Sequence, residues 1–124
     1  MKTILVVDDA SIIRELLRGV LEPEGYRILL AADGEEALTL AAHNAIDLSI
    51  VDVFLPKKSG MQVIAELAKS SPAQHIIAIS GGAAFNPDAI LELTDIFKVA
   101  ATFTKPLDTV ALLRKIKELL HPSA

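Results

Sequence analysis

Five short apolar runs alternate with segments of helical period along the whole 124-residue chain, and that alternation narrows the possible folds more than any other feature. The runs fall at about 3–7, 26–32, 47–52, 75–80 and 101–104 and are rich in Ile, Val and Leu. Between them the apolar residues repeat every three to four positions. One stripe takes in Ile12, Ile13, Leu16, Leu17, Val20 and Leu21, and further helices are expected over Glu35–His43, Met61–Lys69, Asp88–Val99 and Leu107–Leu120. Pro23 and Gly25 end the first helix, Asp33 with Glu36 makes a capping box for the second, and Asn86-Pro87 opens the fourth. Strands separated by helices pair in parallel, and strands covered on both faces read as continuous apolar runs, as these do. The expectation is α/β: a doubly wound five-stranded parallel sheet with five helices, (βα)5 and flavodoxin-like, forming one domain over 1–124.

With 52% hydrophobic and 23% charged residues, the chain has the balance of a globular domain with a real core. None of its apolar runs is long enough for a membrane span. "MKTILVVDD" fails as a signal peptide, because two aspartates cut the run short. The absence of cysteine removes disulfide and thiolate chemistry and suits the cytoplasm. A net charge of −4 argues against direct binding of nucleic acid.

In doubly wound sheets, ligands bind beyond the carboxyl ends of the strands. The first run ends in Asp8 and Asp9, the third in Asp52, the fourth in Ser80, and the fifth runs into Lys105. The second, ending "AADG", adds no obvious chemistry. Three acids at one rim repel one another unless a cation joins them, and an oxygen-only pocket suits Mg2+ or Mn2+. Such an ion neutralises a phosphoryl group, Lys105 adds a second positive charge, and Ser80 offers a donor. An aspartate can also act as a nucleophile and form an acyl phosphate. Asp52, at the middle of the rim, is the candidate. Pro56 and Gly60 then turn the chain into the next helix.

The motifs "VVDD" (6–9), "VDVFLPKKSG" (51–60), "ISGG" (79–82) and "TKP" (104–106), in this order, make the chain resemble a response regulator receiver domain of two-component signal transduction. The resemblance covers essentially the whole length. It implies that Asp52 accepts a phosphoryl group from a phosphohistidine on a sensor histidine kinase or histidine phosphotransfer protein. It further implies that Asp9 binds the metal directly, Asp8 largely through water, and the backbone carbonyl of Phe54 as third protein ligand. Ser80 matches the switch hydroxyl and Lys105 the phosphoryl-contacting lysine, with Lys105-Pro106 cis. The family's activity is signalling with self-catalysed phosphorylation and dephosphorylation, not turnover of a substrate.

Several positions depart from the pattern. Thr102 stands where an aromatic is usual, and Phe103, one residue later, is expected to face the other way. The segment from Ser80 to Lys105 is a few residues long for the family, with the excess assigned to "GGAAFNP", whose Gly81 and Gly82 mark a candidate moving loop. Phe54 is bulky where the family tunes acyl-phosphate hydrolysis and is expected to shield the site. The chain ends "KELLHPSA", which reads as a stand-alone receiver or a fragment of a longer regulator. In the fourth helix Ala89, Leu93, Ile96 and Ala100 form the expected inward stripe. Ile90, Leu91, Phe97 and Val99 widen it into a face for a partner protein or a homodimer.

Blander readings apply elsewhere. Asp33 reads as a helix cap, while His43, His75 and His121 read as scattered surface residues. Arg114, Lys115 and Lys117 suit the end of the last helix. Asp8 and Asp9 could cap a helix, but one cap suffices. A dinucleotide-binding enzyme would need a glycine-rich turn where "VDDASIIR" stands. An aspartate-nucleophile phosphatase would need an acid at Phe54. A degenerate receiver, acting as a phosphorylation-independent interaction module, is the remaining alternative.

Overall fold

In the computed structural model, which describes residues 1–81, 88 and 92–122, the apolar runs become the strands β1 (Thr3–Val7), β2 (Arg27–Ala31), β3 (Leu48–Asp52), β4 (His75–Gly81) and β5 (Ala101–Lys105). All pair in parallel in one sheet of order β2-β1-β3-β4-β5. The order reverses between β1 and β3, which opens a crevice beyond their carboxyl ends where Asp8 and Asp52 sit. β1 and β3 are buried at every residue, whereas the edge strand β2 is buried only at Ala31, which agrees with their central and edge positions.

The helices are α1 (Ser11–Leu21), α2 (Gly34–His43), α3 (Gly60–Ser70), the π-helical α4 (Glu92–Ile96) and α5 (Thr109–Leu120). They lie on both faces of the sheet. Ile4, Val6, Ile50, Ile77 and Ile79 pack under Leu17 and Leu21 of α1 and Leu112 and Ile116 of α5. The alternate residues Leu5, Val7, Val51 and Ala78 pack under Ala37, Val63, Leu67 and Leu93 of α2, α3 and α4. The apolar runs thus supply two cores from opposite faces of one sheet, which is the doubly wound expectation.

Local punctuation follows the residue chemistry. Asp33 Oδ1 accepts from Glu36 N–H at 2.9 Å, and Glu36 reaches back to Ala32 N–H at 3.0 Å. After α1, Glu22–Glu24 form a 3-10 turn that ends at Gly25, whose φ of 92° suits a residue without Cβ. Ser59 and Asp108 cap α3 and α5 with their side chains, two signals that the helical spacing alone did not reveal.

Two apolar stripes are narrower in the structure than the spacing predicts. Ile12 is 76% exposed and Leu16 42% exposed, so only Leu17 and Leu21 of α1 are buried, with Ile13 and Val20 half-buried. A helix lying on a sheet buries one narrow face, and Ile12 and Leu16 fall outside it. In α4 Leu93 is buried as expected, but Ile96 is 69% exposed and Val99, assigned to the outer arc, is buried. The winding is π over Glu92–Ile96 instead of α, so the 3.6-residue phase that placed those residues does not apply. Ala89, Ile90 and Leu91, the Asn86-Pro87 start and the loop from Gly82 onward lie outside the described residues.

Candidate phosphoacceptor site

Strand pairing brings the acidic ends together. β1 and β3 are neighbours, so Asp8 follows β1 where Asp52 closes β3, and carboxylate oxygens of Asp8, Asp9 and Asp52 lie within 4.8 Å of one another. Asp8 and Asp52 are buried, with Asp52 3% exposed, while Asp9 stands at the solvent side. Lys105 reaches over from the end of β5, with Nζ 2.8 Å from Asp8 Oδ2 and 2.9 Å from Asp52 Oδ2. The Lys105-Pro106 peptide bond is cis, as expected from the resemblance.

Both buried acids use their oxygens in the same way. Asp8 Oδ1 accepts from Ala10 N–H and Asp52 Oδ1 from Phe54 N–H, each at 2.8 Å and two residues on. One oxygen therefore shapes each acid's own loop, and the other is left for a cation. The ammonium donates a hydrogen bond to Asp52 Oδ2. It also pairs with the buried Asp8 Oδ2 at 2.8 Å, the contact that compensates that oxygen. Asp8 and Asp52 share the Lys105 ammonium, and with Asp9 beside them the cluster keeps an excess of negative charge that a divalent cation would balance. The donors are all oxygen, which suits a hard divalent cation held by Asp8, Asp9 and Asp52. The capping alternative fails on geometry, because the N-cap of α1 is Ala10 and no side chain caps that helix.

Charge balance is uneven. Burial pushes the Asp8 carboxyl up and Asp52 adds to it, while Lys105 and the Ala10 N–H pull it back. Burial alone would lower the Lys105 ammonium, but Asp8 and Asp52 outweigh that and hold it above the ordinary lysine value. An acid whose folded pKa is raised is less content as a carboxylate folded than unfolded, so at neutral pH Asp8 costs stability. Asp8→Asn keeps the acceptor for Ala10 N–H and removes that cost. Without metal it is expected to raise stability at pH 7, with the gain shrinking as pH falls and wild-type Asp8 becomes neutral. Urea unfolding at several pH values measures this, and a destabilised variant would refute it.

The remaining expected residues are placed differently. Ser80 is fully buried at the end of β4, and its hydroxyl donates to the Gly81 carbonyl at 3.3 Å, turned onto its own backbone. The Phe54 ring is 65% exposed, so most of its surface lies in solvent. Register pairs Ala78 with Thr102 and Ile79 with Phe103, and Phe103 packs in the layer of α1 and α5. Thr102 therefore faces the layer of α2 and α3, opposite Phe103 as expected. His121 is exposed but not idle, since its ring stacks on Tyr26 and lies 3.0 Å from the Tyr26 hydroxyl. Sequence reasoning missed Arg14, whose Nη1 donates to the Asp8 carbonyl at 2.7 Å.

A parallel α/β sandwich with an acid triad and a lysine at its switch point defines a class of phosphoryl-accepting signalling domains. The chain belongs to the response regulator receiver domain family, whose model matches residues 4–117. It is 33% identical over 124 residues to the transcriptional regulatory protein CpxR of Escherichia coli K12, covering 99% of this chain and 51% of that protein. To response regulator RR06 of Streptococcus pneumoniae it is 32% identical over 118 residues, covering 95% and 52%. The chain thus spans about half the length of these curated relatives. Among solved structures it resembles a CheY-like receiver domain of Methanospirillum hungatei, with a TM-score of 0.87, 30% identity and coverage of 95% and 92%. It also resembles TrrA of Thermotoga maritima in complex with Mg2+ and BeF, with a TM-score of 0.83, 37% identity and coverage of 97% and 100%. No described helix is long and apolar enough to cross a membrane.

Proposed function

We propose that Asp52 accepts a phosphoryl group from a phosphohistidine on a sensor histidine kinase or histidine phosphotransfer protein, in a reaction that requires Mg2+ or Mn2+. The observation that carries this reading is the convergence of Asp8, Asp9 and Asp52 on one buried rim with Lys105 bridging two of them. In the transfer, a carboxylate oxygen of Asp52 attacks phosphorus, the P–N bond breaks, and the pair of electrons returns to the imidazole, which takes up a proton. The metal, held by Asp8, Asp9, Asp52 and the Phe54 carbonyl, would neutralise phosphoryl charge. Lys105 contributes a second positive charge at Asp52 Oδ2 and orients the acceptor. Ser80 acts as the switch hydroxyl: its bond to the Gly81 carbonyl is long and neutral, so a charged phosphoryl oxygen is the stronger acceptor.

The domain itself turns over no external substrate and signals, in the cytoplasm, through altered protein contacts. A downstream protein or a second copy meeting the α4 face, where Ile96 is exposed, is the partner this reading provides. Incubation with a small acyl-phosphate donor and Mg2+ is expected to add one phosphoryl group that is base-labile and absent from Asp52→Asn. Beryllofluoride with Mg2+ is expected to raise the melting temperature of the wild type alone. A wild type that neither gains the group nor responds to beryllofluoride would refute the reading in favour of a phosphorylation-independent module.

A further inference from the structure

The Asp8 carbonyl belongs to the peptide unit that joins Asp8 to Asp9, and one helical side chain holds it. Arg14 Nη1 donates to that oxygen at 2.7 Å, across six residues. A peptide unit is planar, so fixing its carbonyl fixes the N–H and the Cα of Asp9, the point from which its side chain leaves. Asp9 is exposed and follows the last residue of β1 by two positions, so sheet packing does not hold it. The loop has few other ties. Asp8 N–H donates to the Ala31 carbonyl at 3.1 Å, and Asp8 Oδ1 accepts from Ala10 N–H at 2.8 Å. The first acts on the Asp8 side of that peptide and the second spans it through the Asp8 side chain, while its carbonyl oxygen is held by Arg14. Ala10, as N-cap of α1, supplies no side chain.

Arg14 is itself anchored to the same loop, since its backbone N–H donates to the Ala10 carbonyl at 3.2 Å. It therefore clamps residues 8–10 from two atoms of one helical residue. Its guanidinium is half-buried, and the ion pairs of α1 belong instead to Arg18 with Glu15 and Glu22. We infer that Arg14 is a positioning residue which sets the Asp8–Asp9 peptide so that both carboxylates face one divalent cation. This rests on the metal-dependent reading of the site.

The sign of the effect separates positioning from simple charge. A cation near a metal site repels the metal, so an arginine acting only through its charge would, on removal, leave tighter binding. A positioning arginine, on removal, leaves weaker binding. Titration of the full chain with Mn2+ alone, followed by calorimetry, reads this directly. Arg14→Ala is expected to weaken Mn2+ binding about tenfold, the lower end for loss of an outer-shell partner of a metal site. Arg14→Lys, which keeps charge and a donor, is expected to recover part of the loss. Arg18→Ala removes the same charge from the same helix and is expected to leave affinity unchanged or slightly tighter. Should Arg14→Ala not fold, Arg14→Gln decides by the same titration. Unchanged or tighter Mn2+ binding in the Arg14 variants would overturn the inference, as would an equal loss in Arg18→Ala. A wild type that binds no metal and accepts no phosphoryl group would instead sink the phosphoacceptor reading itself.

Discussion

Gly60→Ala is expected to destabilise the protein by about 3 kcal/mol or more and to lower its melting temperature by roughly 10–15 °C. Gly60 opens α3, and its N–H donates to the Val53 carbonyl at 3.1 Å, so the helix start is drawn against the end of β3. A Cβ built there would meet the Asp52 carbonyl oxygen at 2.1 Å and Val53 Cα at 2.4 Å. Both obstacles are backbone, and no side-chain rotation relieves them. The chain must shift at Asp52, and the helix start must leave β3. Such overlaps belong to the severe end of overpacking. Because the displaced backbone carries the candidate phosphoacceptor, metal affinity and phosphoryl acceptance fall together with stability. Gly19→Ala, in α1 with nothing within 4 Å of the added carbon, is the matched comparison and is expected to stabilise by about 0.5–1 kcal/mol. Thermal unfolding of the two variants gives opposite signs if the contact at Gly60 governs. Equal small shifts would show that the turn relaxes freely.

Lys105→Met is the second large effect. It removes the cation that bridges Asp8 Oδ2 and Asp52 Oδ2 and leaves two buried carboxylates facing each other. Breaking a buried ion pair from one side costs about 3 kcal/mol or more, because the partner charges stay buried without compensation. The pH dependence follows from the direction of each shift. The folded Lys105 pKa lies above the ordinary lysine value of 10.5, so its stabilisation is complete at neutral pH and fades only as pH climbs through that higher folded value. In the variant, Asp8 is already pushed up by burial and loses the pull of Lys105, so lowering the pH protonates it and recovers stability. Mg2+ supplies the missing charge and is expected to stabilise the variant more than the wild type. Urea unfolding between pH 5 and 9 with and without Mg2+ tests all three statements, and a variant as stable as wild type at pH 7 without metal would contradict them.

The positions of the five strands, the capping of α2 by Asp33 and Glu36, the α1 stop at Pro23 and Gly25, and the acids at strand ends were all legible in the chain. Each depends on a window of a few residues, where side-chain period, proline and glycine act directly on the backbone. Once the runs are strands in a parallel sheet, their carboxyl ends share one rim by necessity. That is why the strand pattern alone joins Asp8, Asp52 and Lys105, although Lys105 and Asp52 lie 53 residues apart.

What stayed hidden concerns contacts between elements. The solvent-facing Ile12 and Leu16 resemble core residues in sequence, and only the docking angle of α1 against the sheet separates them from Leu17 and Leu21. The π winding of α4 moves Ile96 outward and Val99 inward, and no residue there announces it. The grip of Arg14 on the Asp8 carbonyl, the hard stop that Asp52 sets for Gly60, and the Ser80 hydroxyl turned to Gly81 depend on distances of a few ångströms across a turn. Local propensity thus settled which residues form each element and which acids end the strands. The packed sheet alone settled which oxygen of each acid binds its own loop and which faces Lys105, because that depends on where the neighbouring backbone comes to rest.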